Sequence, residues 1–406
     1  MKQLHITAQK PEKTGSGVYY RNLIEKMQNM GNEIIALYGE EEKNKIENCR
    51  EYIFNYKKEI NIAIPGMSDE MPYESTVYSK MTDEEMQKYI KYTKETIEKT
   101  IENEKPEVII VHHLFIMANI AIEIAKKYKI PVFGISHGTD IRQIMQHERF
   151  KKHLDRIKEI DYVFALTNEN KKNIEDIFEI ENNKIMVTYG GYNEKIFYPN
   201  SEEKEKKARL MYAGKISETK GVYELIEAIQ ELNAEIEIIG QATGEDEEKI
   251  KKLIDNDKRI KYYDVRNQKE LAELMRNREI FVFPTYYEGL GLMSIEAIAS
   301  KMVLVVNKLD SIEEFIPKEI KESIFYQGVK KPTLKGLDKI DPSNKKEYKE
   351  NLKEKIKKAI EIVKTKNINE EYKKIEKSVE ELSWDGLSKK IYKKIEKVVD
   401  KDKKKE

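Results

Sequence analysis

Short apolar runs alternate with amphipathic segments along this 406-residue chain, and no other feature of the sequence constrains the fold as strongly. The run LHITA precedes the helical segment GVYYRNLIEKMQNM, and EIIALY follows it. EVIIVHH, IPVFGIS and YVFALT continue the series, with further helical segments between them. Apolar runs separated by amphipathic segments of about 10 to 15 residues are typical of a parallel sheet covered by helices on both faces. The sequence therefore predicts an α/β fold.

The same alternation starts again in the second half of the chain. Its apolar runs are RLMYAG, AEIEIIG, RIKYYDV, IFVFPT and MVLVVN. Because 406 residues exceed the size at which one core usually stops growing, we predict two doubly wound domains. The first covers residues 1–200 and the second residues 201–382, with the polar stretch 200–207 as their boundary.

Two further segments carry weaker signals. Residues 62–85 contain turn formers, methionines and aromatic residues without clear periodicity, which predicts a loop that either contacts substrate or is a packed connection. Near the C-terminus Ile391, Ile395 and Val398 or Val399 have helical spacing. They predict a packed last helix with a basic tail, and a membrane-surface anchor is the alternative.

The composition excludes several classes of function. The 74 basic and 74 acidic residues balance, which argues against general nucleic-acid binding. Cys49 is the single cysteine, and no His/Cys group has zinc-ligand spacing, so we expect a reducing compartment, most simply the cytoplasm, and no metal. No apolar run approaches the roughly 20 residues of a membrane span.

Ligands bind open α/β sheets at the carboxyl ends of the strands, and we expect the two domains to face each other across a cleft at those ends. Gly15 and Gly17 follow the first strand just before a helix, where backbone N–H groups can approach an anion, although an ordinary turn is the alternative. His137 follows another strand, and it is either a ligand for a sugar or a proton, or a structural histidine. His112 and His113 end a third strand. Because neighbouring strand residues face opposite sides, we expect at most one of them at the cleft.

The second half carries two charged motifs at corresponding positions. Lys215 and Lys220 lie across a strand-to-helix turn, where they either converge on a diphosphate or are solvated. In FVFPTYYEGLGLMSIEAIAS, Glu288 belongs to a loop after a strand and Glu296 to the helix that follows. The Gly-x-Gly between them allows the two carboxylates to reach different parts of one elongated ligand, with helix N–H groups between for a diphosphate.

In this order the motifs resemble glycosyltransferase family 4, retaining enzymes of the GT-B fold whose hallmark is Glu-x7-Glu. The resemblance runs from RLMYAGKISETKG to EIFVFPTYYEGLGLMSIEAIAS, and it extends to SHGTDI, YGGYNEKIFYP and LSWDGLSKKIYKKI. It implies two Rossmann-like domains facing a central cleft, with the acceptor on the first and the nucleotide-sugar donor on the second. Trp384 matches the aromatic residue that begins a last helix, which implies that residues 383–406 return to the first domain.

The resemblance also implies a role for each matching residue. Glu288 would hold hydroxyls of the donor sugar near its anomeric carbon, and Glu296 would bind the ribose. Lys215 and Lys220 would contact the diphosphate, and His137 would lie against the donor sugar. Backbone groups that would contact the phosphates belong to Gly289, Leu290, Gly291 and Leu292 in the second domain and to Gly15 and Gly17 in the first.

The sequence departs from the family pattern in three places. Lys215 stands where arginine is more frequent, so the bidentate fork is lost. Residues 301–303 replace a common Gly-x-Pro, and Asn193 replaces a usual aspartate. Separately, Asp255-x-Asp257 resembles a metal-binding pattern of other glycosyltransferases, but its position between a charged helix and a strand favours a cap or turn.

The predicted function is therefore retaining transfer of a sugar from a nucleotide sugar to a glycan, glycolipid or other hydroxyl acceptor. A sugar-nucleotide epimerase or a non-catalytic nucleotide-sugar-binding protein is the alternative. We expect no cofactor, no metal and no nucleic-acid partner. The expected setting is the cytoplasm, with peripheral contact to the membrane as a further option.

Overall fold

The computed structural model describes residues 1–200, 207–232, 234–254, 257–264, 267–336 and 339–403, with side chains as far as residue 400. The chain divides into two compact units. Unit 1 contains Met1–Gly190 and Leu387–Glu406, and unit 2 contains Gly191–Gly386. Most of the predicted boundary stretch, residues 201–206, lies outside the described residues.

Unit 1 is built on a parallel sheet of seven strands. In chain order its elements are β1 (Lys2–Ile6), α1 (Gly15–Asn29), β2 (Glu33–Gly39), β3 (Cys49–Phe54), α2 (Tyr56–Ile60), β4 (Ile64–Gly66), β5 (Ser75–Val77), α3 (Asp83–Glu104), β6 (Val108–His112), α4 (Ile116–Tyr128), β7 (Val132–Ser136), α5 (Thr139–Gln146), β8 (Tyr162–Ala165), α6 (Asn168–Phe178) and β9 (Ile185–Val187). The sheet order is β3-β2-β1-β6-β7-β8-β9, and β4 and β5 form a separate parallel pair. Every residue of β6 and β7 is buried, as expected for central strands covered on both faces.

The segment 62–85 is more ordered than the predicted loop. It contains β4 and β5, and helix α3 begins within it behind a capping box formed by Thr82 and Glu85. Tyr78 and Met81 are buried in the core of unit 1, and the Tyr78 hydroxyl donates to that of Tyr89 at 2.7 Å. Of the two alternatives, the structure therefore shows a packed connection.

Unit 2 repeats the doubly wound arrangement with six parallel strands. Its elements are β10 (Leu210–Ala213), α7 (Val222–Leu232), β11 (Ile236–Ile239), α8 (Glu245–Ile254), β12 (Ile260–Tyr263), α9 (Gln268–Arg276), β13 (Ile280–Phe283), α10 (Leu292–Ala299), β14 (Val303–Asn307), α11 (Asp310–Phe315), α12 (Lys318–Lys321), β15 (Tyr326–Val329), β16 (Leu334–Lys335), β17 (Lys339–Ile340), α13 (Pro342–Thr365), α14 (Ile368–Lys373) and α15 (Glu376–Glu380). The sheet order is β12-β11-β10-β13-β14-β15, and β16 and β17 form a short antiparallel pair. The predicted α/β class with two parallel sheets is confirmed.

The last helix, α16 (Trp384–Lys403), belongs to unit 1 from Leu387 onward. Ile391, Ile395 and Val399 are buried, at the spacing read from the sequence, and so are Trp384 and Leu387 in the first turn of the helix. Residues 404–406, the end of the predicted basic tail, lie outside the described residues.

Each sheet reverses its strand order once, and these reversals position the candidate sites. In unit 1 the reversal lies between β1 and β6, and in unit 2 it lies between β10 and β13. A crevice forms where the loops leave neighbouring strands in opposite directions, and ligands of open α/β sheets bind there. The loops after these four strands contain most of the candidate residues.

Candidate active site

Two loops meet at the switch point of unit 2. The loop after β10 ends at Gly221, which has a φ of +63°, and a Cβ there would lie 2.2 Å from the carbonyl oxygen of Pro284. The backbone N–H of Tyr286 donates to the carbonyl of Thr219 at 2.9 Å. This close approach requires glycine at position 221 and brings residues 215–221 against the loop that carries Glu288.

Lys220 and Glu288 form an ion pair across these loops. Lys220 Nζ lies 2.9 Å from Glu288 Oε2 and donates to the carbonyl of Tyr287 at 3.2 Å. Both charged side chains are about one-quarter exposed, so a ligand can reach them. The hydroxyl of Ser311 donates to the Glu288 carbonyl at 2.7 Å and fixes its backbone. The sequence placed both residues at a ligand but did not predict the pair.

Helix α10 begins directly after this loop. Gly291 is its N-cap with a φ of +62°, and no side chain caps the helix within the described residues. A Cβ at Gly291 would lie 2.8 Å from Ile312, so packing requires that glycine, whereas a Cβ at Gly289 meets nothing within 4 Å. The N–H groups of Leu292 and Met293 therefore remain available for an anion, whereas that of Ser294 donates to the Gly291 carbonyl at 2.8 Å. Leu290 lies between the two glycines.

Glu296 occupies a different environment from Glu288. It is buried one turn into α10, and burial raises its pKa to about 7, while a hydrogen bond with Gln268 opposes that rise. Gln268 is the first residue of α9, and the sequence reasoning missed it because its approach to α10 depends on how the two helices pack.

A pocket of about 430 Å³ opens in unit 2. It is lined at the carboxyl ends of β10 and β11 by Lys215 and Gly240, and by Leu271 and Met293 from the two helices. Leu271 follows Gln268 by three residues, and Glu296 follows Met293 by three, so the polar pair lies one turn away from the pocket wall. Its volume is in the range of small-molecule sites. The structure thus places Lys215 at this pocket and Lys220 at Glu288.

The two candidate glycines of unit 1, Gly15 and Gly17, differ in the space around them. Thr14 caps α1 by accepting from the N–H of Gly17 at 3.0 Å. A Cβ at Gly17 would lie 2.6 Å from the carbonyl of Lys10, so the loop itself requires glycine there. A Cβ at Gly15 meets no atom within 4 Å, which leaves this end of the helix open.

His137 lies at the carboxyl end of β7 among other rings. Its Nε2 is 3.1 Å from Nδ1 of His112, and its ring centroid is 4.8 Å from that of His113 and 5.2 Å from that of Tyr19. His113 has a φ of +70°, which breaks the strand alternation. His112, the last residue of β6, and His113, which follows it, both contact His137. Burial lowers the pKa of all three imidazoles, so they are neutral at pH 7.

Asp140 is a positioning residue that the sequence reasoning did not single out. It is fully buried in α5, and its carboxylate accepts from the backbone N–H of Leu114 at 2.7 Å and from the Ser136 hydroxyl at 3.0 Å. These bonds tie the segment after His113 to the start of α5. The aspartate three residues after His137 in SHGTDI was the available signal.

The Asp255-x-Asp257 pattern is only partly described, because Asp255 lies outside the described residues. Asp257 pairs with Arg259 at 2.6 Å. In the described part of the chain no group of three histidine, cysteine or acidic residues is arranged to hold a metal ion. None of the described helices has the length and apolar character that crossing a membrane requires.

Two family models match adjacent parts of the chain. The model described as Glycosyltransferase Family 4 matches residues 13–195, and the model described as Glycosyl transferases group 1 matches residues 193–359. A protein of Methanocaldococcus jannaschii, named an uncharacterized glycosyltransferase, is 23% identical over 221 residues. The match covers 53% of this chain and 60% of the relative's length. This chain therefore spans less than two thirds of that relative.

Solved structures share the fold at low sequence identity. A glycosyltransferase from Rickettsia africae has a TM-score of 0.66 at 15% identity, with 98% of each chain covered. The Anabaena protein HepE, solved with UDP and glucose, has a TM-score of 0.58 at 11% identity, with 98% of this chain and all of that chain covered. At such identities the likeness shows the fold alone, two α/β domains that each contain a parallel sheet.

Proposed function

Because this chain belongs to glycosyltransferase family 4 and has the GT-B fold, we propose that it transfers a sugar from a nucleotide sugar to a hydroxyl acceptor. The acceptor is a carbohydrate, a lipid-linked glycan or another hydroxyl compound. We assign the reaction to the cytoplasm, in the synthesis of polysaccharide or glycolipid, and we expect it to need no metal.

The ion pair of Lys220 and Glu288 is the observation that carries this proposal. Breaking a glycosyl–phosphate bond builds positive charge on the sugar ring and negative charge on the departing diphosphate. A carboxylate and an ammonium group held 2.9 Å apart offer one opposite charge to each end of that bond. Without a ligand the two charges neutralise each other, so neither is left uncompensated at a partly buried site.

The rest of unit 2 supports the same assignment. The N–H groups of the loop before α10, from Gly289 to Gly291, and that of Leu292, the first residue of the helix, would receive the diphosphate beside Lys220. Glu296 and Gln268 would bind the ribose hydroxyls next to the 430 Å³ pocket, which has room for the base and is bordered by Lys215. For unit 1 the proposal keeps the implied contacts of Gly15 and Gly17 with phosphate and of His137 with the donor sugar.

We further propose that the reaction is transfer and not hydrolysis, with the anomeric configuration retained as the resemblance to family 4 implies. A glycoside hydrolase places two carboxyl groups about 5 to 10 Å apart around one bond. Here the carboxylates have separate partners, Lys220 for Glu288 and Gln268 for Glu296, which favours one carboxylate at the reacting carbon and one at the nucleotide. The leaving phosphate would then accept the proton of the acceptor hydroxyl.

The test measures release of free nucleoside diphosphate from a panel of nucleotide sugars with mixed glycan acceptors. Glu288→Gln removes the charge but keeps the shape, and we expect a fall in release of about 10²- to 10³-fold, with the donor-induced thermal shift retained. Glu248→Gln, an exposed acid on α8, is the matched control and should release diphosphate at the wild-type rate. Unchanged release in Glu288→Gln, or conversion of the donor sugar without diphosphate release, would refute the proposal.

A further inference from the structure

The imidazoles of His112 and His137 lie edge to edge. Their ring planes are within 15° of each other, and the centroids are 5.3 Å apart. The two nitrogens, Nδ1 of His112 and Nε2 of His137, are 3.1 Å apart, and the centroid distance is longer by close to one ring diameter. Each nitrogen therefore lies on the line between the two centroids, and the rings share nearly one plane. This is the geometry of an in-plane N–H···N hydrogen bond and not of face-to-face stacking.

The surroundings of the remaining two nitrogens differ. Nε2 of His112 is buried and has no hydrogen-bond partner among the described residues. Nδ1 of His137 also has no partner among them, but it is not one of the buried polar atoms, and the residue is partly exposed. It therefore reaches solvent.

One proton is shared between the two bonded nitrogens, so two arrangements are possible for neutral rings. If His137 donated through Nε2, His112 would carry its own proton on the buried Nε2, as an N–H group without an acceptor. If His112 donates through Nδ1, its buried Nε2 is a bare lone pair. Buried N–H groups without partners are the rarer and costlier of these defects. The second arrangement is therefore favoured, and it requires the proton of His137 to be on Nδ1.

We propose that His112 is a positioning residue that holds His137 in its Nδ1–H tautomer, so that His137 presents an N–H donor to its ligand. The ligand atom it fits is an oxygen acceptor, such as a sugar hydroxyl or a phosphate oxygen. His137 then orients and stabilises that oxygen, and it cannot take a proton as a general base, because Nε2 is occupied and Nδ1 is already protonated. The identity of the ligand rests on the proposed function, whereas the tautomer does not.

Neighbouring groups hold the pair in this geometry. Tyr20 meets the edge of the His112 ring with centroids 5.0 Å apart, and Tyr19 meets His137 in the same way at 5.2 Å. Asp140 binds the Leu114 N–H, and the His113 N–H donates to the carbonyl of Ile135 at 2.8 Å. The backbone on both sides of the pair is thus fixed, which leaves the proton position as the variable that His112 decides.

The experiment uses the full chain, ¹⁵N-labelled at histidine and without ligand, and reads the tautomer of His137 from long-range ¹H–¹⁵N spectra assigned with His137→Gln. We expect Nδ1 to be protonated in the wild type and in His112→Asn, whose amide can still donate. In His112→Asp the side chain can only accept a hydrogen bond, so Nε2 of His137 should become protonated. His153→Asn, outside the cluster, should leave the His137 signals unchanged.

A wild-type spectrum with the proton on Nε2 would overturn the proposal, and so would an unprotonated Nε2 of His137 in His112→Asp. The wild-type spectrum decides even if His112→Asp does not fold. Diphosphate release adds a second readout: we expect about a ten-fold loss in His112→Leu, which can no longer orient His137, and recovery in His112→Asn. An Nδ1–H tautomer in a chain that releases no diphosphate would refute the proposed function and leave this inference standing.

Discussion

Burial changes the acidity of Glu296 in the candidate site. Its pKa rises from 4.5 to about 7 because the side chain is buried. Between these two pH values the folded chain keeps a proton that the unfolded chain has lost, so the free energy of unfolding falls as the pH rises through this window. The shift corresponds to about 3 kcal/mol, present as extra stability below about pH 4.5 and lost above about pH 7.

Glu296→Gln should remove this pH dependence, because an amide does not ionise. Relative to the wild type, the variant should gain about 3 kcal/mol of unfolding free energy between about pH 4.5 and about pH 8, measured by urea denaturation. The exposed Glu248→Gln on α8 should follow the wild-type curve. A constant difference between Glu296→Gln and the wild type over this range would mean that Glu296 has an ordinary pKa.

The chemistry of single residues could be predicted from the sequence only as far as residue type and local order allow. The spacing of Glu288 and Glu296 indicated two acids with different roles. The spacing could not indicate the partners of those acids, Lys220 and Gln268, because both are distant from them in the chain. The order of the strands brings Lys220 close to Glu288, and the packing of two helices brings Gln268 close to Glu296. The roles of the two carboxylates stay predictions.

At the scale of elements, the contact between the loops after β10 and β13 depends on Gly221. Alanine at this position would carry the cost of a left-handed backbone, about 1 to 2 kcal/mol, and would also clash with the Pro284 carbonyl. Gly244 has nearly the same φ, +60°, but a Cβ there meets nothing within 4 Å. Alanine at position 244 would therefore carry the conformational cost alone, and alanine at position 221 would carry the conformational and the steric cost.

Gly244→Ala should lower the unfolding free energy by about 1 to 2 kcal/mol. Gly221→Ala should lower it by about 1 to 3 kcal/mol more, because the Pro284 loop must move. Urea denaturation of both variants measures the difference. Equal losses would show that the loops tolerate separation and that the 2.2 Å approach is not needed for stability.

The elements themselves could largely be predicted, since buried parallel strands leave continuous apolar runs in the sequence and amphipathic helices leave a repeat of about 3.6 residues. The paired strands β4 and β5 could not, because each has three residues, too few for a periodic signal. The left-handed backbone of His113 was also hidden, since nothing in a histidine side chain demands a positive φ. With that backbone angle, His113 contacts His137 although its neighbour His112 contacts it too.

At the scale of the whole molecule, unit 1 is assembled from both ends of the chain. Its sheet is formed by residues 1–190, while α16 contributes a buried apolar face from the far C-terminus. Each unit has its own sheet and its own core, and unit 2 contains none of the residues after Gly386. A defect in α16 should therefore weaken unit 1 selectively.

Ile395→Ala tests this expectation, because the side chain is fully buried and its truncation leaves a cavity worth about 2 to 5 kcal/mol. Amide hydrogen exchange should accelerate in β6 and β7 of unit 1 and remain unchanged in β13 and β14 of unit 2. Lys397→Ala, on the exposed face of the same helix, should stay within about 0.5 kcal/mol of the wild type. Equal acceleration in both units would show that they unfold as one cooperative body, and α16 would then stabilise the whole chain and not unit 1 alone.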